Sequence, residues 1–287
     1  MIRVLCQGGL GNQLFQYATA RRLAMLHGAP LVVDPDWFGR PRPDETPRRY
    51  ELGRYPLPLR FASLAEQRIC RLARGWAGRL LAPLLPFDVV RERGLGSDLP
   101  RLQATRNAYL IGYWQSESYF ADIRPTLLQE LKPAEPLGED RALADRMASC
   151  ASVSVHVRRG DYVSSINAAS FHGSCSLDYY ADAIALIAAR LEGAELFVFS
   201  DDPEWCRTHL RAPLPTHHVS GGPAADPHRD LWMMARCRHH VIANSSFSWW
   251  GAWLGEPADT RIVIAPQRWF AAGLPTPDHV PARWIRL

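Results

Sequence analysis

The first thirty-three residues constrain the fold most. Residues 2–6 are a short apolar run, Gly8-Gly9-Leu10-Gly11 interrupts it, residues 12–27 carry a helical pattern closed by Gly28, and residues 31–33 are apolar again. Strand, glycine turn, helix, strand is a βαβ unit, whose two strands run parallel and whose sheet needs helices on both faces. The second half repeats the alternation, with strand patterns at 152–157, 195–200, 218–220, 240–243 and 261–265 and helical patterns at 179–191, 203–210, 231–237 and 247–254. Such alternation predicts a doubly wound sheet. The expected class is α/β, with two Rossmann-like domains facing a cleft and ligands at the carboxyl ends of the strands. Lys132-Pro133-Ala134-Glu135-Pro136 reads as a linker, which divides the chain into domains 1–140 and 141–287. Within the first domain, residues 39–59 read as a loop, 63–85 as one basic amphipathic helix with its arginines on the polar side, 109–114 as a strand and 118–131 as a helix.

At 287 residues the chain can bury a substantial core, and 47% apolar with 22% charged residues is an ordinary globular balance. Lys132 is the only lysine among 33 basic residues and the net charge is +4, so most arginines read as solvated surface charge. The basic stretch 68–79 lacks the aromatic interleaving of a nucleic-acid platform, and no nucleic-acid partner is expected. No apolar run reaches the roughly eighteen residues of a membrane span, and no signal-peptide pattern opens the chain. A cytoplasmic protein is expected, with at most peripheral contact at the inner face of the membrane. Cys6, Cys70, Cys150, Cys175, Cys206 and Cys237 contain no CxxC pair, and buried free thiols are expected rather than zinc or disulfides.

Four places could carry chemistry. His156-Val157-Arg158-Arg159-Gly160-Asp161 ends a strand, where one arginine could grip phosphate bidentately while the other pairs with an acid; a surface ion pair is the competing reading. Gly8-Gly9-Leu10-Gly11-Asn12-Gln13 opens a helix whose amides could receive an anion or a sugar hydroxyl. As a dinucleotide fingerprint it lacks the third glycine, since Leu14 stands there, which leaves Asp34 little claim to a ribose. Ser200-Asp201-Asp202 suggests a metal, but adjacent residues of an extended segment point apart, and a helix cap ahead of Pro203 is the stronger reading. Asp230 is read as beginning a helix, and Asn244-Ser245-Ser246 precedes another whose start suits phosphate; Trp249, Trp250 and Trp253 read as core.

The order of these pieces is more specific than any one of them. Gly9-Leu10-Gly11-Asn12-Gln13-Leu14-Phe15-Gln16-Tyr17-Ala18, Gly112-Tyr113-Trp114-Gln115-Ser116-Glu117-Ser118-Tyr119-Phe120, residues 156–162, Phe199-Ser200-Asp201-Asp202 and the run from Asn244 through Trp249-Trp250-Gly251-Ala252-Trp253-Leu254 together resemble the α-1,2-fucosyltransferases of glycosyltransferase family eleven, in a bacterial form. The resemblance implies a GT-B arrangement, with GDP-L-fucose held mainly by the second half and a galactose-terminated oligosaccharide or glycolipid held mainly by the first. It implies an inverting transfer of L-fucose to a galactose 2-hydroxyl, without a cofactor and without a metal. Carried over, Arg158 binds the β-phosphate, His156 lies beside the guanine or ribose, and Asp230 and Ser246, sixteen residues apart, hold the guanine edge and a phosphate. Ser245, Gly9, Gly11 and Asn12 join the donor site, and Asn12 stands near the reacting carbon. Gln115 and Glu117 fall on the acceptor side. Arg158, Asn12 and Asp161 are the catalytic candidates, with Asp161, Asp178, Glu117 and His172 all left open as a general base. A fucosyltransferase of another linkage and a silent nucleotide- or glycan-binding protein are the rival readings.

Overall fold

A computed structural model describes residues 1–39, 47–94, 99–132, 139–159, 174–219, 226–255, 260–270 and 276–287. These fall into two compact units, Met1–Lys132 with Thr276–Pro281, and Pro133–Pro275 with Ala282–Leu287. The linker reading at 133–136 lies outside the described residues.

The first unit is built on five parallel strands in the order β3-β2-β1-β5-β4: β1 Ile2–Leu5, β2 Leu31–Asp34, β3 Arg60–Phe61, β4 Asp88–Arg91 and β5 Ala108–Ile111. The buried apolar strands β1 and β2 are joined by α1, Leu10–Leu26, as the opening pattern predicts. The helix is buried along most of its length because it lies on the sheet. The single helix expected over 63–85 is instead two: α2, Leu64–Arg74, and α3, Trp76–Leu80, followed by a 3-10 turn at Ala82–Leu84. Ser63 and Glu66 start α2 with a reciprocal capping box, and Gly75, in extended backbone, ends it. Further along come α4, Leu99–Ala104, and then, where one helix was expected over 118–131, two 3-10 turns and α5, Arg124–Glu130. Pro125 explains the late start: proline suits the first turn of a helix and breaks its interior.

The second unit holds six parallel strands in the order β11-β10-β9-β6-β7-β8. They are β6 Ala151–Val157, β7 Ala194–Ser200, β8 Thr216–His218, β9 His239–Val241, β10 Val263–Ala265 and β11 Ile285–Arg286. Numbered from β6, this is 3-2-1-4-5-6, the strand order of a dinucleotide-binding sheet. The helices are α6 Glu139–Ser149, α7 Leu177–Arg190, α8 Pro203–His209, α9 Pro227–Arg236 and α10 Ser246–Leu254. Alternation along β6 sends Val153, Val155 and Val157 into one core with α7. The other face of the sheet packs Phe197 and Phe199 against Met233 and Met234 of α9. Trp249, Trp250 and Trp253 are fully buried, so the aromatic run of α10 is core. All six cysteines are free thiols, four of them buried. The α/β class is observed, in two Rossmann-like units. No helix among the described residues is long and apolar enough to cross a membrane.

Candidate active site

Strands of a doubly wound sheet leave in opposite directions from one point, and the loops there splay apart to admit a ligand. In the second unit that point lies between β6 and β9. At its carboxyl edge stand the end of β6 with Arg158 after it, and the loop Ala243-Asn244-Ser245 leading into Ser246 at the start of α10. Topology therefore gathers the histidine–arginine motif and the serines that stand some ninety residues after it in sequence.

Two tyrosines of α7 fix this edge. The Tyr180 hydroxyl donates to the His156 carbonyl at 3.1 Å, and that of Tyr179 is 2.6 Å from the Ile242 carbonyl and 3.1 Å from that of Ile264. The His156 imidazole is buried and packs on Phe247 in the first turn of α10, ring centroids 5.7 Å apart. Its Nδ1 has no hydrogen-bond partner among the described residues. Burial first, and the Arg158 charge second, hold its pKa down at about 3, so the ring is neutral at ordinary pH and offers hydrogen bonds rather than charge. Arg158 is half-buried.

Ser245 caps α10, its hydroxyl accepting from the Phe247 N–H. Ser246 is half-buried, and its hydroxyl makes no hydrogen bond among the described residues. Asn244 is held by Cys175 Sγ at 3.5 Å and by the Trp269 carbonyl at 3.2 Å. It therefore fixes the loop.

Arg159 and the two aspartates are occupied with each other. The Arg159 N–H donates to Asp201 Oδ1 at 2.8 Å, its Nε lies 3.4 Å from Asp202 Oδ2, and its guanidinium stacks over Trp205 at 3.8 Å. Asp202 caps α8 through the Trp205 N–H, the role expected for one of the pair. Asp230 does not begin its helix: Asp226 caps α9, and Asp230 follows as the fourth helical residue. Its carboxylate accepts from Arg229 Nη1 at 2.8 Å, and burial raises its pKa against that partner. Asp178 is exposed in the first turn of α7. Asp161 and His172 lie outside the described residues.

The corresponding point of the first unit lies between β1 and β5. Gly8 has φ +76°, and a Cβ on it would stand 2.6 Å from Asn12 Nδ2, so only glycine lets Asn12 sit there. Gly9 stands at the cap position just before α1, Gly11 is buried in its first turn, and no side chain caps the helix. Asn12 Oδ1 accepts from Gln115 Nε2 at 2.7 Å, which brings together two candidates 103 residues apart in sequence. The neighbouring glutamines are braces: Gln13 bonds the carbonyls of Gly8 and Arg49 and the Glu51 N–H, and Gln16 bonds the Gln7 N–H and the Gly112 carbonyl. Glu117 is half-buried in the 3-10 turn that follows Gln115.

Trp114, within the 112–120 run, and Glu92, which belongs to no motif, shape this turn. Trp114 has φ +58°, the only left-handed non-glycine among the described residues, and such backbone strain persists only where its surroundings enforce it. Glu92, just after β4, does so: its carboxylate accepts the N–H groups of Tyr113 at 2.7 Å and Trp114 at 3.0 Å. Burial raises the Glu92 pKa against those two hydrogen bonds. A Cβ at Gly112 would collide with the Glu92 side chain. The strand-end position of Glu92 was its only sequence signal.

Residues 90–285 match glycosyl transferase family 11. The chain is 40% identical to an α-1,2-colitosyltransferase of Escherichia coli over 98% of this chain and 96% of that one. It is 31% identical to the O-antigen biosynthesis glycosyltransferase WbnK of Escherichia coli over 92% and 93%. It is 27% identical to galactoside α-(1,2)-fucosyltransferase 2 of Sus scrofa over 86% and 67%. With identity at this level running almost end to end, and the family match covering both loops of the second unit's switch point, the chain belongs to glycosyltransferase family 11 and is a glycosyltransferase.

Proposed function

We propose that the protein moves L-fucose from GDP-β-L-fucose to the 2-hydroxyl of a terminal β-galactoside, with inversion, to give an α-1,2 linkage. The observation that carries the reading is the β6/β9 switch point. A neutral buried imidazole, an arginine two residues on and an unengaged serine at a helix start together suit a nucleoside diphosphate. The α-1,2 name of relatives from a bacterium and a mammal supports the linkage.

In this reading Arg158 and Ser246 take the diphosphate, Ser245 fixes the helix start, His156 meets the guanine or ribose, and Asp230 accepts from the guanine edge. As the bond to the sugar breaks, negative charge grows on the leaving GDP, and donors already in place stabilise it more than they stabilise the ground state. Arg158 and the amides of α10 meet that demand, so the reaction calls for no cofactor and no metal. Asn12 and Gln115, with Gly9 and Gly11 behind them, offer amides rather than charges, which suits sugar hydroxyls. Glu117 lies on the acceptor side.

The relative at 40% identity favours a second donor, GDP-colitose, whose sugar is L-fucose without its 3-hydroxyl. A GDP-release assay with each donor, across lactose, N-acetyllactosamine and galactosyl-N-acetylgalactosamine, followed by NMR of the product, tests both. Transfer of fucose to O2 is expected. Transfer of colitose alone would replace the donor, substitution at another hydroxyl would replace the linkage, and no release with any pair would overturn the reading.

A further inference from the structure

The segment from Leu64 to Leu84 turns outward what folded proteins hide. Cys70 and Ala73 are the buried residues of α2, packed with Phe87 and Tyr109. Leu64, Leu72, Trp76, Leu80 and Leu84 are all exposed, Trp76 by 81% and Leu84 by 80%. Scattered exposed leucines need no explanation, but large apolar side chains recurring along one continuous stretch mark an interaction surface. The arginines here were expected to form the polar side of an amphipathic helix, yet Arg68 and Arg71 are exposed alongside these leucines and Trp76.

The charge of the stretch is one-sided. Residues 52–87 carry Arg54, Arg60, Arg68, Arg71, Arg74 and Arg79 against the single acid Glu66. Arg60 takes Glu66 at 2.7 Å, while Arg71 and Arg74 reach back to Asp36. Arg68 is exposed and has no ion-pair partner among the described residues. A second copy of the chain seated here would set the same arginines against these, which like-charge repulsion opposes. An anionic bilayer complements both the exposed apolar side chains and the exposed Arg68. Indole sits at headgroup level, leucine enters the acyl boundary, and guanidinium meets lipid phosphate.

We infer that this segment docks the protein on an anionic phospholipid bilayer, with Trp76, Leu80 and Leu84 entering the interface and Arg68 facing the phosphates. The contact holds the enzyme on the surface without a span, and it does not depend on which sugar the enzyme carries. Flotation of the full chain with phosphatidylglycerol-containing vesicles, and with pure phosphatidylcholine vesicles, tests it. The wild-type protein should float with the anionic vesicles, less so in high salt, and hardly at all with the neutral ones. Replacing Trp76, Leu80 and Leu84 together by serine should lower partitioning on the order of a hundredfold. Arg68→Ala should lower it about fivefold. Transfer to a soluble acceptor should be unchanged in both variants; if the triple variant fails to fold, Trp76→Ser alone should still lower partitioning about fivefold. Absence of wild-type flotation, equal flotation with both vesicle types, or unchanged partitioning of the serine variants would overturn the inference, as would a wild-type dimer that the triple variant dissolves without any vesicle binding.

Discussion

The two switch points share a geometry and differ in charge. Each is the place where a parallel sheet reverses its winding, and each receives a glycine- or serine-bearing loop at a helix start. Between β6 and β9 the side chains are an arginine, a buried neutral histidine and hydroxyls. Between β1 and β5 they are amides, hydrogen-bonded to one another and braced by further amides. One fold thus carries two chemically different clusters at its strand ends.

The difference is broken most severely at Arg158. Arg158→Ala should lower transfer from the GDP-sugar by about a thousandfold, the scale of one preorganised donor to a developing charge, while circular dichroism stays unchanged. The largest effect in the first unit is expected from Glu92→Ala. Removing a half-buried acceptor from two N–H groups should cost about 1 kcal/mol of stability, read by chemical unfolding, and raise the acceptor KM about tenfold as the strained Trp114 turn relaxes. In the proposed reading Ser246→Ala removes one neutral hydrogen bond to the diphosphate, and it should raise donor KM about fivefold, roughly 1 kcal/mol, with acceptor KM unmoved.

The histidine gives a pH effect. Its folded pKa is about 3, whereas in the unfolded chain it returns to about 6.5. The unfolded state therefore binds the extra proton between those values. The contribution of His156 to stability is undiminished above the upper one and is lost as pH falls through the window. Thermal melts at acid and neutral pH should converge in His156→Gln relative to wild type. The smallest expected effect is that of excess EDTA, which should leave the rate within error of the untreated enzyme; strict dependence on added manganese would reopen Asp201 and Asp202 as ligands.

Much of the frame was legible because it is local. The βαβ opening shows as an apolar run, glycines and a helical period, and β6 shows as an alternation of valines with Ser152, Ser154 and His156. The grouping of His156, Arg158 and the 244–246 loop comes from the family resemblance; the pairing of β6 with β9 that brings them to one switch point is seen only in the structure. The rest was hidden for physical reasons. β3 and β11 have two residues each, too few to show a period of two. Gly75 and Pro125 shortened helices whose apolar pattern ran on past them. Glu92 acts across twenty-one residues through backbone N–H groups, and a tryptophan in left-handed backbone contradicts its own preference. No single-sequence pattern encodes either. The outward leucines after Ser63 have a helical period, but the period cannot say which face meets the sheet.

The assignment of the diphosphate to the second unit's switch point is tested most directly by GDP binding. Calorimetric titration of GDP into the wild-type protein, Arg158→Ala and Gln115→Ala, all without divalent metal, separates the two sites by their charge. Binding is predicted to weaken about a hundredfold or more in Arg158→Ala and to be unchanged in Gln115→Ala. The reverse pattern, with GDP affinity kept in Arg158→Ala and lost in Gln115→Ala, would contradict the account.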